Sequence, residues 1–388
     1  MDLELSWILL GLPLAFVLGW AASRLDIRQL RFDSRQAPKA YFKGLNYLLN
    51  EQQDQAIDAF IEAVQNDPDT SELHFALGNL FRRRGEYQRA VRVHEHLLSR
   101  GDLALADRHR AQHALALDFL KAGVLDRAED ALRKLDGTAF QTEALMALLA
   151  IYERSRDWPH AAGIARKLQA AGQGSFVTRL AHYLCEQAAG LTVSDEPAAR
   201  QLLAQAIETA PSAPRPRIEL ARLQATAGDS HGAYKTLAAM LSAAPSFAPL
   251  VAESLVELGN TTGQGEPVLR LLEASYAQVA SLDVLDAIVT LEQQSDAVHH
   301  APGGAPRDRY VAHLEREPSL VAAAKWLAGE KLEHDQFHPQ LQRALDEAAR
   351  PLTRYRCAAC GFEAMQHFWQ CPGCQAWDSY PPRRVEEL

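Results

Sequence analysis

From about Lys39 onward, small and large apolar residues return at the same places every 34 positions. Gly44, Tyr47, Ala56 and Phe60 are matched by Gly78, Phe81, Ala90 and His94, and Pro68 closes the first unit. The pattern goes on as Ala116, Phe119, Ala128 and Leu132, then less cleanly as Tyr152, Ala161 and Ala165. Further along, Ala199, Leu203, Ala206 and Pro211 are answered by Ala233, Leu237, Met240 and Pro245. Such units are expected to be helix pairs. The small residues let the two helices of a pair approach closely, and the large ones fill the wedge between pairs. No pair buries its apolar face alone, so neighbouring units must stack.

A 34-residue period with this arrangement resembles the tetratricopeptide repeat. That resemblance implies an all-α superhelix with a concave groove, and the chain reads as about six clear repeats with two or three degenerate ones. The stretch between Cys185 and Pro197 lengthens one hairpin, Thr261 to Pro267 reads as a looser turn, and Val298 to Arg307 as a break. Arg309 to Arg350 reads as further helices.

The run from Leu5 to Ala22 departs from this pattern, with 18 residues and no charge. At ~1.5 Å per residue it spans ~27 Å as a helix, enough to cross a ~30 Å hydrocarbon layer. Trp7 and Trp20 stand near its ends, where indoles prefer the headgroup level. Pro13 interrupts it, which membrane helices tolerate. A cleaved signal peptide would carry a positive leader, whereas Asp2 and Glu4 make this one acidic. Arg24, Arg28, Arg31 and Arg35 follow the run, so the N-terminus is expected outside and the rest in the cytoplasm.

Composition narrows the classes. Alanine and leucine dominate and aromatic residues are only 7%, which favours helix over strand. A net charge of −9 argues against a general nucleic-acid binder, whose affinity comes from phosphate neutralisation.

Four of the five cysteines fall in the last 32 residues, as Cys357, Cys360, Cys371 and Cys374. Two Cys-x-x-Cys knuckles separated by ten residues are the spacing by which four thiolates reach one tetrahedral metal ion. A reducing cytoplasm keeps such thiols available. Gly361 and Gly373 are expected to give the knuckles conformational freedom, and Arg354 and Arg356 to offset the net charge of about −2. A closed four-thiolate site leaves no position for substrate, so the ion is expected to be structural zinc. Iron in the same cage, as in rubredoxin, is the alternative and would make an electron carrier. A module this short needs the metal to fold, and Phe362, Phe368, Trp369 and Trp377 are expected to dock on adjacent repeats.

Catalytic patterns are lacking. Gly263 to Gly265 and Gly303-Gly304 lie in turn-like contexts rather than at the opening of a helix. No serine has a nucleophile-elbow setting. His299-His300 reads as a solvated loop, and His334 and His338 have metal-ligand spacing without a third ligand. His94 stands where other units carry an aromatic residue, and Cys185 reads as a core thiol. The chain is not expected to be an enzyme.

A partner-binding groove is the better candidate. In tetratricopeptide repeats the first helix of each hairpin lines the concave face. There the second unit should present Glu72, Phe75, Asn79, Arg82 and Arg83, and the third Arg110, His113, Leu117 and Lys121. Asn79, Arg82, Arg83, His113 and Lys121 are the candidate partner contacts, because Asn79 and Arg83 fall where carboxylate-clamp repeats hold a peptide terminus. The plainer reading of Arg82 to Arg84 is a solvated helix end, where cations suit the dipole.

Anchor, repeats and metal module in this order resemble the lipopolysaccharide assembly protein B family of Gram-negative bacteria over essentially the whole chain. The specific marks are Tyr41 to Phe60, Leu77 to Arg84, Leu125 to Asp130 and the tail Tyr355 to Trp377. The resemblance implies an inner-membrane adaptor that promotes proteolysis of the lipid A-committing deacetylase by the membrane AAA+ protease. It also implies contact with an inner-membrane regulator and with other lipopolysaccharide assembly proteins. The alternative is a non-proteolytic scaffold for lipopolysaccharide synthesis and export. The expected layout is an anchor at 1–23, a basic linker at 24–38, repeats at 39–297, degenerate helices at 298–350 and a rubredoxin-like module at 351–388.

Overall fold

The computed structural model describes residues 16, 17, 20, 39, 40, 42–66, 70–299, 308–328 and 335–388. Among these no helix is long and apolar enough to cross a membrane. The uncharged run at 5–22 lies outside the described residues except for Phe16, Val17 and Trp20.

The chain divides into two compact units, Met1–Asp157 and Trp158–Leu388. In the first, helical backbone at 42–49 (α1) is followed by α2 (Gln53–Asn66), α3 (Ser71–Arg84), α4 (Tyr87–Ser99), α5 (Leu105–Ala122), α6 (Leu125–Arg133) and α7 (Gln141–Ser155). From α2 to α7 each helix packs on the next, and α3 also touches α5, as stacked hairpins require. The repeat positions carry the core: Ala56, Phe60, Leu77, Phe81 and Ala90 are all buried together. Gly44 and Gly78 are the close-approach points. A Cβ on Gly44 would stand 2.9 Å from the Phe60 ring, and one on Gly78 would stand 2.5 Å from His94 Nε2. His94 therefore does occupy the place that Phe60 holds one repeat earlier.

The second unit contains α8 (Trp158–Ala170), α9 (Val177–Leu191), α10 (Glu196–Thr209), α11 (Arg215–Thr226) and α12 (Ser230–Ala243). A 3-10 turn at Pro245–Leu250 leads to α13 (Ala252–Thr262), α14 (Gly265–Gln278) and α15 (Leu282–His299). Asp195 and Asp229 accept the backbone N–H groups of Ala198 (3.1 Å) and Gly232 (2.9 Å), which starts α10 and α12 with a side-chain cap. First helices again touch one another, α9 with α11 and α13 with α15. The turn expected to be loose near Thr261 is tight instead. Gly263 closes α13 at φ +68°, a conformation that glycine adopts without a Cβ penalty, and α14 begins two residues later.

Shorter helices follow, α16 (Asp308–Leu314), α17 (Leu320–Ala328) and α18 (His338–Ala349). They bury Tyr310, Val321, Ala322 and Ala349 against Leu282, Leu285 and Val289 of α15. Two short strands, β1 (Tyr355–Arg356) and β2 (Glu363–Ala364), pair antiparallel and open the cysteine-rich tail.

Candidate metal centre

The two knuckles are built alike. Strands β1 and β2 bracket the first, with Arg356 opposite Glu363, and an isolated bridge between Gln370 and Trp377 brackets the second. In the first, Cys357 N–H donates to Phe362 O (2.9 Å) and Gly361 N–H returns to Cys357 O (2.8 Å). In the second, Cys371 N–H donates to Ala376 O (2.9 Å) and Gln375 N–H returns to Cys371 O (2.8 Å). The residue after each second cysteine must therefore turn into the left-handed region. Gly361 does so at φ +77° and Gln375 at φ +62°. The expectation for Gly373 is corrected: its φ is ordinary, and what its missing side chain admits is the Phe362 ring, 3.4 Å from where a Cβ would be.

This folding brings the four sulfurs of Cys357, Cys360, Cys371 and Cys374 within 4.8 Å of one another. Cys357 Sγ lies 3.8 Å from Cys374 Sγ, and Cys360 Sγ lies 3.7 Å from Cys371 Sγ. A tetrahedron with metal–sulfur bonds of ~2.3 Å has edges of ~3.8 Å, so the donor set fits a four-coordinate ion. Disulfides, at ~2.05 Å, are not formed. Burial opposes ionisation of Cys357, but the Ser379 hydroxyl and the Cys360 and Ala359 N–H groups bring its thiol down to about 6. The Phe362 N–H favours the Cys360 thiolate, yet burial and the neighbouring sulfurs drive it up to about 12. Four like charges at this distance need a cation among them.

Arg354 and Arg356 do not serve as the expected counterweight. Both guanidiniums are paired with Glu363, at 3.5 and 2.8 Å. The charge that matters for docking lies further on. His182, buried in α9, has its Nε2 2.8 Å from Asp378 Oδ1 and its Nδ1 3.3 Å from an Arg215 nitrogen. Arg215, the first residue of α11, also holds Glu186 at 2.6 Å. Trp377 stacks on His182 at 4.8 Å and meets Trp158 and Tyr183 edge-on at 6.0 and 5.9 Å. Trp369 lies over Phe247 at 6.3 Å, and Phe368 joins the small core of Tyr355, Cys357, Cys371 and Tyr380. The module thus reaches α8, α9 and α11, far back along the chain and not only the last repeats. Of the four aromatic residues expected to dock, Phe362 does not, being 44% exposed.

Two residues that sequence reasoning missed complete the attachment. Glu386 accepts from the backbone N–H groups of Leu320 (2.5 Å) and Val321 and from the Ser319 hydroxyl (2.8 Å), at the start of α17. Glu387 accepts from Leu282 N–H at the start of α15. Carboxylates suit helix N-termini, where free N–H groups concentrate positive charge. Arg384 adds a two-pronged pair with Asp283 of α15, at 2.8 and 3.0 Å.

The candidate groove residues divide. Arg82 turns inward, donating to the fully buried Asp118 (2.8 Å) and to Ala114 O (3.1 Å). It also donates to the Asn79 side-chain oxygen. His94 Nδ1 meets the other Asp118 oxygen at 2.5 Å. Asn79 and Arg82 are thus parts of an internal polar network. His113 is half-buried and stacks on Phe140 at 4.8 Å. Arg83 and Lys121 remain exposed at the ends of their helices. Cys185 is buried, which pushes its thiol up to about 12 and makes it inert. His338 bonds Leu327 O at 2.9 Å, while His334, His300 and the His299 side chain lie outside the described residues. Among the described residues, the four cysteines form the one group placed to hold a metal.

Stacked helical hairpins ending in paired cysteine knuckles define a tetratricopeptide-repeat protein with a rubredoxin-type metal module. Residues 73–108 match the tetratricopeptide repeat and residues 355–381 match the rubredoxin metal binding domain. Over 98% of its length the chain is 31% identical to lipopolysaccharide assembly protein B of Escherichia coli (strain K12), covering 98% of that protein. It is 27% identical to the protein of the same name from Haemophilus influenzae (strain ATCC 51907 / DSM 11121 / KW20 / Rd), with 99% of each chain covered. The chain belongs to the lipopolysaccharide assembly protein B family. The crystal structure of a tetratricopeptide repeat protein from Parabacteroides merdae ATCC 43184 is 14% identical with a TM-score of 0.33, covering 66% of this chain and 98% of that one.

Proposed function

We propose that this chain is an inner-membrane adaptor in the control of lipopolysaccharide biosynthesis, which makes no bond itself. In this reading it presents the lipid A-committing deacetylase to the membrane AAA+ protease. The observation that carries the reading is similarity along almost the whole chain to proteins named for lipopolysaccharide assembly. The uncharged run from Leu5 to Ala22 and the arginines after it support a single-pass anchor, with the N-terminus periplasmic and the bulk of the chain cytoplasmic. The layout is then anchor at 1–23, linker at 24–38, repeats at 39–297, degenerate helices at 298–350 and metal module at 351–388.

Cys357, Cys360, Cys371 and Cys374 would hold one zinc ion, whose contribution is to the fold. The lack of a redox-partner motif in the sequence and the setting of the knuckles on a repeat scaffold support zinc over the electron-carrying iron alternative. Arg83 and Lys121, exposed on α3 and α5, are the retained candidates for partner contact. An inner-membrane regulator and other assembly proteins are further partners of this reading.

The test is deacetylase half-life in cells with the full chain, without it, and with residues 1–23 removed. A longer half-life in both latter cases supports the tethered adaptor. An unchanged half-life favours the non-proteolytic scaffold that coordinates synthesis and export.

A further inference from the structure

Each knuckle turns one cysteine inward and one outward. Cys357 and Cys371 are buried, whereas Cys360 and Cys374 are exposed. The close sulfur pairs run between the knuckles, and each joins an exposed cysteine to a buried one. Cys360 Sγ lies 3.7 Å from Cys371 Sγ, and Cys374 Sγ lies 3.8 Å from Cys357 Sγ. A disulfide is ~2.05 Å long, so closing either pair moves each sulfur by less than ~1 Å.

The two outward cysteines are not equally open. At Gly361, beside Cys360, an added Cβ would meet nothing within 4 Å. At Gly373, beside Cys374, it would meet the Phe362 ring at 3.4 Å. Cys360 is therefore the sulfur that a small solute reaches first. Sulfurs that bind a divalent cation do so as thiolates, and exposed thiolates are the ones that peroxides oxidise. Zinc has no redox chemistry of its own, so with zinc bound the sulfurs take the oxidation.

The second knuckle is also the one that docks. Trp369 stands two residues before Cys371, and Trp377 and Asp378 stand three and four residues after Cys374. These side chains meet Phe247 and His182. The first knuckle is flanked instead by its own strands, β1 and β2. Drawing Cys371 toward Cys360 takes a buried sulfur out of the small core that it shares with Tyr355, Cys357 and Tyr380.

We propose that Cys360 is a site of reversible oxidation by peroxides, and that this oxidation unlatches the module from α9. The proposal rests on the zinc reading given above and goes beyond it. The Cys360 thiolate attacks one peroxide oxygen, the O–O bond breaks, and a sulfenic acid and hydroxide form. The Cys371 thiolate then attacks the Cys360 sulfur, the S–O bond breaks, and a second hydroxide leaves. The two sulfurs together lose two electrons, which the peroxide gains. A cation left with two of its four thiolates is released, and the knuckle that carries Trp377 and Asp378 loosens. In a reducing cytoplasm such a disulfide is transient, and a thiol reductant restores the latch.

The experiment uses the full chain in detergent micelles, with metal content measured before and after hydrogen peroxide. One zinc per chain should be bound at the start and released on treatment, as read with a colorimetric chelator. Peptide mass mapping should find Cys360 joined to Cys371, with Cys185 still a free thiol. Tryptophan emission should move to the red, and dithiothreitol with added zinc should reverse both changes. Cys360→His keeps four donors in a Cys3His set and should release its zinc several times more slowly. Absence of zinc at the start would remove the zinc reading and this proposal with it. Zinc kept through the treatment overturns the proposal alone, as does a first disulfide within one knuckle or at Cys185. Zinc lost with no change in emission overturns the unlatching.

Discussion

Asp378 lies 2.8 Å from the Nε2 of His182, joining the end of the cysteine module to a helix almost two hundred residues earlier. The geometry sets the imidazole tautomer. Arg215 only donates, so Nδ1 must accept from it, and Nε2 must carry the proton that Asp378 receives. Asp378 itself sits at φ +50°, and its backbone N–H donates to Trp369 O at 2.9 Å. Substituting Asp378→Ala leaves a buried N–H without its acceptor and should cost about 1–3 kcal/mol. The melting temperature of the purified chain checks this, and Asp378→Asn should recover part of the loss.

Removing the metal should have a wider effect than loss of a local site. The module's own core is the four side chains of Tyr355, Cys357, Cys371 and Tyr380, two of which are ligands. Structural zinc contributes about 10–16 kcal/mol of apparent binding energy in small modules, so little holds the knuckles without it. Chelation, or Cys371→Ser, should free Trp369 and Trp377 from Phe247 and His182 and expose the chain near Arg350 to proteases. Tryptophan emission moving to the red with new cleavage near 350–356 is the expected outcome. Unchanged emission in metal-free protein would refute the coupling.

The repeats and the knuckles were legible because each rests on a local rule. A period of 34 places Gly44 over Phe60 and Gly78 over His94, and that close approach is the reason the small residues recur. The two-residue gap in each knuckle likewise fixes the four ligands. What escaped the sequence was long-range pairing. Asp118 looks like an ordinary polar residue in its helix, yet it is fully buried because His94 and Arg82 converge on it. Glu386 and Glu387 find helix starts more than 60 residues away, which no local pattern encodes. Arg82 likewise turns to a partner 36 positions off, which its place on a groove-lining helix does not reveal.

The contact between Gly78 and His94 can be tested directly. A methyl at Gly78 would stand 2.5 Å from His94 Nε2, and the ring is held by Asp118 on its other side. Gly78→Ala therefore forces the hairpin apart, although alanine is the better helix former. Overpacking of this kind costs about 1–3 kcal/mol. A lower melting temperature for the first unit is expected, whereas the same change at the exposed Gly101, with nothing within 4 Å, should not lower it through any clash.

Acid should weaken the second unit through His313. Burial holds this imidazole below its ordinary value of 6.5, against the opposing pull of Glu317 and Glu386, and its Nδ1 meets the Tyr276 hydroxyl at 2.7 Å. A depressed folded-state value means the unfolded chain takes up the proton first. The stability contribution is therefore complete above about pH 6.5 and falls as the pH drops below it. The gap in melting temperature between pH 7.5 and pH 5.5 should narrow in His313→Gln. A gap as wide as that of the unsubstituted protein would assign the acid sensitivity to other groups.

Adjacent arginines in α3 should separate structure from recognition. Arg82 neutralises Asp118, a carboxylate with no exposure at all, so Arg82→Ala leaves a buried charge held only by His94. Breaking such a pair typically costs about 3–5 kcal/mol, enough to unfold the first unit in part. Arg83 points to solvent one position on, and Lys121 does so at the end of α5. Arg83→Ala and Lys121→Ala should each change stability by no more than about 0.5 kcal/mol. If this face receives a partner, those two variants should lose capture of it from crosslinked membranes while melting like the unsubstituted chain. Capture that survives both substitutions would move recognition away from α3 and α5, and the loss seen in Arg82→Ala would then be one of folding alone.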